Sequence, residues 1–135
     1  MGSMVPMYIG DTTVGGPAQI RKLPQLTISK ISVGSFNNNS YLLRCTNTGM
    51  QVLIDAAAEP DRLLTLIGHG ELMGVLTTHG HPDHWGALAE VINATGARSY
   101  APAADVTMIS VNTDHALRQG STVTFGAVTV QVITT

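Results

Sequence analysis

The sequence predicts a single α+β domain, on three observations. Short apolar, β-branched runs alternate with turn-rich stretches, two later segments carry apolar residues at helical spacing, and both patterns share one chain of 135 residues. A chain of that length builds one core and buries roughly two thirds of the surface it would expose unfolded.

The elements follow in order. Met1-Gly2-Ser3 before Met4 reads as a cloning remnant, and the stretch to residue 25, broken by Pro6, Gly10, Gly15, Gly16 and Pro17, reads as a flexible arm preceding a domain over residues 26–135. Leu26, Ile28, Ile31 and Val33, then Tyr41-Leu42-Leu43, then Val52-Leu53-Ile54 form three strand-like runs separated by Gly34-Ser35 and Asn37-Asn38-Asn39, which predicts a meander. Glu59-Pro60-Asp61 leads into Leu63, Leu64, Leu66 and Ile67, with Gly68 and Gly70 to stop it. A proline and an acid in the first turn mark this as a helix. Met73 to Thr78 is a short buried strand, and Trp85, Leu88, Ala89 and Ile92 line one face of a second helix ending at Gly96. A strand near Ala97 to Ala101, a short helix from Ala103 to Ile109, and strands Ser121 to Phe125 and Val128 to Thr134 complete the prediction.

Composition narrows the function. The net charge is −2 and the nearest approach to a basic run is Arg21-Lys22, so no electrostatic footprint for nucleic acid or an anionic membrane is present. A small-molecule substrate is the expected partner. One cysteine, Cys45, excludes an internal disulfide, and the chain opens with neither a basic nor an apolar signal region, which points to the cytoplasm. No apolar run approaches the roughly 20 residues needed to cross a bilayer. Hydrophobic residues make up 44% against 12% charged, which predicts an uncovered sheet face and self-association through it.

The chemistry is concentrated in His79-Gly80-His81-Pro82-Asp83-His84, four potential metal ligands at the junction of an apolar strand and a helix. Imidazole nitrogens and a carboxylate suit Zn²⁺ and iron, and open α/β sheets place ligands beyond the carboxyl ends of strands. In an extended loop, alternate spacing aims His79 and His81 the same way. Asp83 and His84 begin the next helix, where they can serve a second metal roughly 3.5 to 4 Å from the first. A helix N-cap is the other reading of Asp83.

Thr78-His79-Gly80-His81-Pro82-Asp83-His84-Trp85-Gly86 resembles the Thr-His-x-His-x-Asp-His-x-Gly signature of the metallo-β-lactamase superfamily, and Asn39-Ser40-Tyr41-Leu42 and Val52-Leu53-Ile54-Asp55 are similar to its first strands. The resemblance runs from about Leu26 to the end, and it implies an αββα sandwich of which this chain supplies the N-terminal half. It implies that His79 and His81 ligate one metal, that Asp83 and His84 ligate the other with Asp83 in the catalytic machinery, and that Asp55 stands behind them. An Asp ending a strand and capping the next turn accounts for Asp55 equally well. Ala87 stands where a second glycine is frequent in the family. The cofactor implied is Zn²⁺, two per complete site, with iron or manganese as alternatives. The activity implied is thioester, ester or amide hydrolysis by metal-bound hydroxide, glyoxalase II-like. A mononuclear iron sulfur dioxygenase and a non-catalytic binding module are the alternatives. The family's third ligand of the first metal, its bridging aspartate and its last histidine have no counterpart here. The expectation is therefore a truncated chain with an incomplete, inactive site.

The remaining candidates take bland readings. His69 and His115 sit in turn-like surroundings and read as solvated loop residues, and Cys45 reads as a small core residue. Asn37 to Asn39 read either as a site entrance or as a simple hairpin turn. Trp85 reads as a helix anchor.

Overall fold

A computed structural model describes residues 16–35 and 38–133. The cloning remnant, most of the predicted arm, Asn37 and Thr134 lie outside the described residues. Seven strands form one sheet in sequential order: β1 (Gln19–Lys22), β2 (Leu26–Val33), β3 (Asn38–Cys45), β4 (Gln51–Ile54), β5 (Leu72–Leu76), β6 (Arg98–Pro102) and β7 (His115–Leu117). The first four pair antiparallel as a meander, and β4 to β7 run parallel. Parallel neighbours require crossovers. Helix α1 (Pro60–Ile67) links β4 to β5, helix α2 (Leu88–Thr95) links β5 to β6, and the two helices touch each other. A separate hairpin, β8 (Thr122–Phe125) and β9 (Val128–Gln131), follows β7. Among the described residues, no helix is long and apolar enough to cross a membrane.

The period-two alternation of the strands sorts the core into two layers. Ile31, Val33, Leu42, Leu53 and Val75 face the helices and pack with Leu63, Ile67, Leu88 and Val91. Leu43, Cys45, Val52 and Leu76 face the other way and pack with Val123, Phe125 and Val128 of the hairpin. The hairpin therefore covers part of the sheet face that the apolar composition leaves to be hidden. Among the described residues the exposed large hydrophobics are Ile20, Leu23, Met108 and Ile133.

Several sequence expectations change. Gln19–Lys22, within the stretch that reads as an arm, is an edge strand in full register with Thr27 to Lys30. Its backbone, not its side chains, places it there, since Ile20 is half exposed. Helix α2 starts at Leu88 rather than Trp85; Asp83 and His84 lie in a separate 3₁₀ turn, Pro82–His84. Asp83 caps nothing, for neither turn nor helix has a side-chain cap. Ala103–Met108 is a 3₁₀ helix, β9 ends at Gln131, and His115 belongs to edge strand β7, where its ring stacks on Tyr100 at 4.8 Å. Cys45 is a core residue as expected, fully buried. The hydroxyl of Thr48, followed by the amide of Ala127, lowers its thiol pKa to about 7.

Candidate metal centre

Strands β4 and β5 end side by side, and the residues just beyond them build the site. Asp55 follows β4 and is 5% exposed, with a left-handed φ of 61° that few non-glycine residues adopt. Such a conformation persists where surrounding bonds over-determine it. Here the Asp55 amide donates to the Leu76 carbonyl at 2.8 Å, and the Asp55 carbonyl accepts from the Ser40 hydroxyl at 2.5 Å. The carboxylate is more heavily tied. Oδ1 accepts the Thr78 amide at 2.7 Å, while Oδ2 accepts the Thr78 hydroxyl at 2.7 Å and His84 Nδ1 at 3.0 Å.

These contacts assign Nδ1 as the donating nitrogen in two histidines. The single hydroxyl proton of Thr78 is given to Asp55, so Thr78 Oγ1 can only accept from His79 Nδ1, 2.9 Å away. Facing a carboxylate, His84 Nδ1 likewise carries its proton. In the neutral form of each ring the lone pair is then on Nε2, the nitrogen left to ligate. This is the arrangement by which a carboxylate fixes the tautomer of metal-ligating histidines. The His79 and His84 rings lie side by side, centroids 4.7 Å apart.

Asp83 is held from the other side. Asn38, the first residue of β3, donates from Nδ2 to Asp83 Oδ2 at 3.0 Å and to the Asp83 carbonyl at 2.7 Å. This bond, ahead of the nearby His84 and His81, holds the Asp83 carboxyl below its ordinary 3.8. Asp83 Oδ2 stands 3.9 Å from His84 Nε2. The His81 side chain is exposed; its carbonyl accepts the His84 amide at 3.0 Å, which closes the 3₁₀ turn. The structure thus brings His79, Asp83 and His84 together over Asp55, with His81 at the rim. Among the described residues, no three His, Cys, Asp or Glu side chains are closed into one metal-holding group. The donor chemistry nonetheless fits a metal: two imidazoles with Nε2 lone pairs outward, beside an ionised carboxylate.

Packing fixes the loop as a unit. The Trp85 indole donates to the Gly80 carbonyl at 2.8 Å, and the Ala87 amide donates to the Ala56 carbonyl at 2.9 Å. Gly86 lies so close to the segment after β4 that a Cβ would sit 2.7 Å from the Ala57 carbonyl oxygen. Gly86→Ala is accordingly expected to destabilise the protein by about 1–3 kcal/mol in denaturant unfolding; an unchanged midpoint would show that the two loops are not in register. Sequence reasoning assigned no role to Thr78, though its place in the motif was a signal. It read Asn37 to Asn39 as a site entrance or a hairpin turn; Asn38 stands at the site, but its contact with Asp83 spans 45 residues and no local signal named that partner.

Asn38→Ala is expected to move the Asp83 carboxyl back up toward the ordinary carboxylate value. A depressed carboxyl contributes stability that is present above its unfolded pKa, about 3.9, and lost as pH falls through the folded value. NMR titration of Asp83 reads the shift, and an unmoved midpoint in Asn38→Ala would remove Asn38 as its cause.

A cleft of about 630 Å³ opens beside His79. It sits at the carboxyl ends of the parallel strands, with Ile54, Leu76, Pro102 and Leu117 on its walls and Asp105 on its rim. That is where open α/β sheets bind ligands.

Fold and site together define a mixed-sheet scaffold with a histidine-rich loop beyond its strand ends, and sequence comparison specifies its family. The family model of the metallo-beta-lactamase superfamily matches residues 33–119, and the chain belongs to that superfamily. It is 39% identical over 98 residues to a hydroxyacylglutathione hydrolase of Fuscovulum blasticum, covering 72% of this chain and 38% of that one. A hydroxyacylglutathione hydrolase of Rhodopseudomonas palustris (strain ATCC BAA-98 / CGA009) is 32% identical over 120 residues, covering 88% and 43%. The chain spans about two fifths of the length of these curated relatives. Among solved structures, the subclass B3 metallo-beta-lactamase BJP-1 of Bradyrhizobium japonicum superposes with a TM-score of 0.66 at 22% identity, covering 87% of this chain and 52% of that one. The B3 metallo-beta-lactamase BLEG-1 gives 0.70 at 20% identity, covering 77% and 59%. At that identity the likeness is one of fold.

Proposed function

We propose that the protein is a metal-dependent hydrolase acting on thioesters of the hydroxyacyl-glutathione type. The observation that carries the reading is the Asp55–Thr78 relay, which turns the Nε2 lone pairs of both His79 and His84 outward. The relatives named hydroxyacylglutathione hydrolase supply the substrate class.

His79 and His81 are proposed to hold one divalent cation, and Asp83 with His84 a second, with zinc first and iron or manganese as alternatives. Bound there, the cations supply positive charge that polarises a carbonyl and acidifies water. The chain's own residues orient these ligands. Asp55 and Thr78 keep His79 and His84 in one tautomer, and Asn38 keeps Asp83 ionised and aimed. The cleft beside His79 has apolar walls, Ile54, Leu76 and Leu117, that suit a short acyl chain.

The test pairs metal analysis with a hydroxyacyl-glutathione hydrolysis assay, both run on the full-length protein that carries this sequence, because two ligands per cation from these residues do not by themselves complete a catalytic site. Two metal ions and turnover lost on chelation are expected. A metal-replete protein that leaves the thioester intact overturns the reading, as does one iron with oxygen uptake on a persulfide.

A further inference from the structure

We propose that the groove between the strand ends of β1 to β3 and the C-terminal end of α1 binds a small organic oxyanion, a phosphate or carboxylate, at a site separate from the histidine loop. The groove encloses about 670 Å³ and lies on the helix side of the sheet. That volume is within the range of small-molecule sites, roughly 300–1,000 Å³. Gln51 and Asp55 bracket β4, so the groove and the histidine loop lie at opposite ends of that strand, about 13 Å of backbone apart.

Strand register gathers the cations. Lys22 pairs with Thr27 and Thr27 with Arg44, so the three stand in one row across three strands on one face. Lys22 and Arg44 are then about 10 Å apart at the backbone, with a hydroxyl between them. Two long side chains can close on one oxyanion across that gap. Behind this row, Ser29, 7% exposed, pairs with Leu42, and Gln51, 3% exposed, pairs with Arg44. His69, a residue the histidine loop does not use, stands at the opposite wall with Gly68 and Gly70.

Charge decides the sign of the ligand. Among the described residues the groove lining includes Lys22, Arg44 and His69 and no acidic residue, in a chain with seven Lys and Arg against nine Asp and Glu. Among the described residues neither Lys22 nor Arg44 forms an ion pair. The C-terminus of α1 contributes a partial negative charge of about half a unit. Two full positive charges outweigh it. Moreover, the Ile67 carbonyl at that end already accepts from the Gln51 amide at 3.2 Å. Ile20, Leu42 and Leu66 add an apolar side, which suits an organic ligand better than a bare ion.

The test is an NMR titration of the ¹⁵N-labelled protein, kept metal-free with chelator, using inorganic phosphate, phenyl phosphate and benzoate in turn. Saturable shifts confined to residues around Lys22, Thr27, Arg44 and His69 are expected, tighter for phenyl phosphate than for inorganic phosphate. Lys22→Ala and Arg44→Ala should each weaken binding about tenfold, the worth of one charge-assisted hydrogen bond, while Arg98→Ala on β6 leaves it unchanged. Arg44→Gln, which keeps the stem and amide donors, provides a second variant should Arg44→Ala misfold. Tighter benzoate binding assigns a carboxylate ligand, and tighter phenyl phosphate binding a phosphate. No saturation by about 20 mM of any probe, or equal binding by all variants, overturns the site.

Discussion

Phe125→Ala lowers the unfolding free energy by about 3–5 kcal/mol, the usual cost of emptying a buried phenylalanine site. Against a typical total of about 5–15 kcal/mol, that leaves a marginal domain. The size of the effect follows from how the hairpin is attached. Among the described residues, β8 and β9 pair with each other and share no ladder with the seven-stranded sheet. The hairpin's hold on the sheet is therefore mainly side-chain packing, with Phe125 fully buried against Leu43, Cys45, Val52 and Leu76 and one amide, that of Ala127, donating to Cys45 Sγ at 3.4 Å. Removing the ring should loosen the hairpin before the helix side melts. Hydrogen exchange then rises across Thr122–Gln131 while α1 and α2 stay protected. Cys45 is a built-in reporter, because its thiol is fully buried beneath the hairpin and meets a thiol reagent only when the hairpin opens. Labelling of Cys45 should be slow in the wild type and fast in Phe125→Ala. A loss below about 1.5 kcal/mol, with Cys45 still protected, would mean the hairpin is held by something other than this ring.

What the residues reveal on their own depends on the range of the interaction. Val52-Leu53-Ile54 and Met73 to Leu76 identify themselves as buried strands because burial on both faces demands continuous apolar runs. The helix at Pro60–Ile67 is signalled by Pro60 and Asp61 at one end and Gly68 at the other, all local chemistry. The histidine loop is legible because its groups lie within six residues. Strand β1 is not, since Gln-Ile-Arg-Lys carries one apolar residue and owes its conformation to hydrogen bonding with β2. Strand β7 is three residues long, and Asp114-His115 reads as a turn until Tyr100 is found beside it. Asp55 left two readings open, a turn cap or a support for the histidines. Its side chain donors are Thr78 and His84, 23 and 29 residues away, so only the fold could decide.

Asp55→Asn is the substitution expected to strike hardest at function. The change is isosteric, so packing around a residue 5% exposed is kept and the hydrogen-bond pattern alone is altered. A carboxylate accepts at both oxygens; an amide accepts at one and donates at the other. Three donors converge here: the Thr78 amide on Oδ1, and the Thr78 hydroxyl and His84 Nδ1 on Oδ2. An amide cannot satisfy all of them. If its oxygen stays with the Thr78 amide, its NH₂ faces two donors, and His84 and His79 lose the tautomers that aim Nε2 outward. Metal affinity should fall about 10–100-fold, the usual cost of losing the partner behind a ligating histidine. Stability should fall with it, since a buried donor left unpaired costs about 1–3 kcal/mol. The two effects separate by comparison with Ser40→Ala. That variant removes the 2.5 Å bond to the Asp55 carbonyl yet leaves the carboxylate and both histidine contacts in place. It should lose stability while keeping metal affinity. Should Ser40→Ala and Asp55→Asn weaken metal binding alike, Asp55 acts as a backbone brace and not through its carboxylate. Should Asp55→Asn bind metal as the wild type does, the Thr78 relay has no part in orienting the ligands.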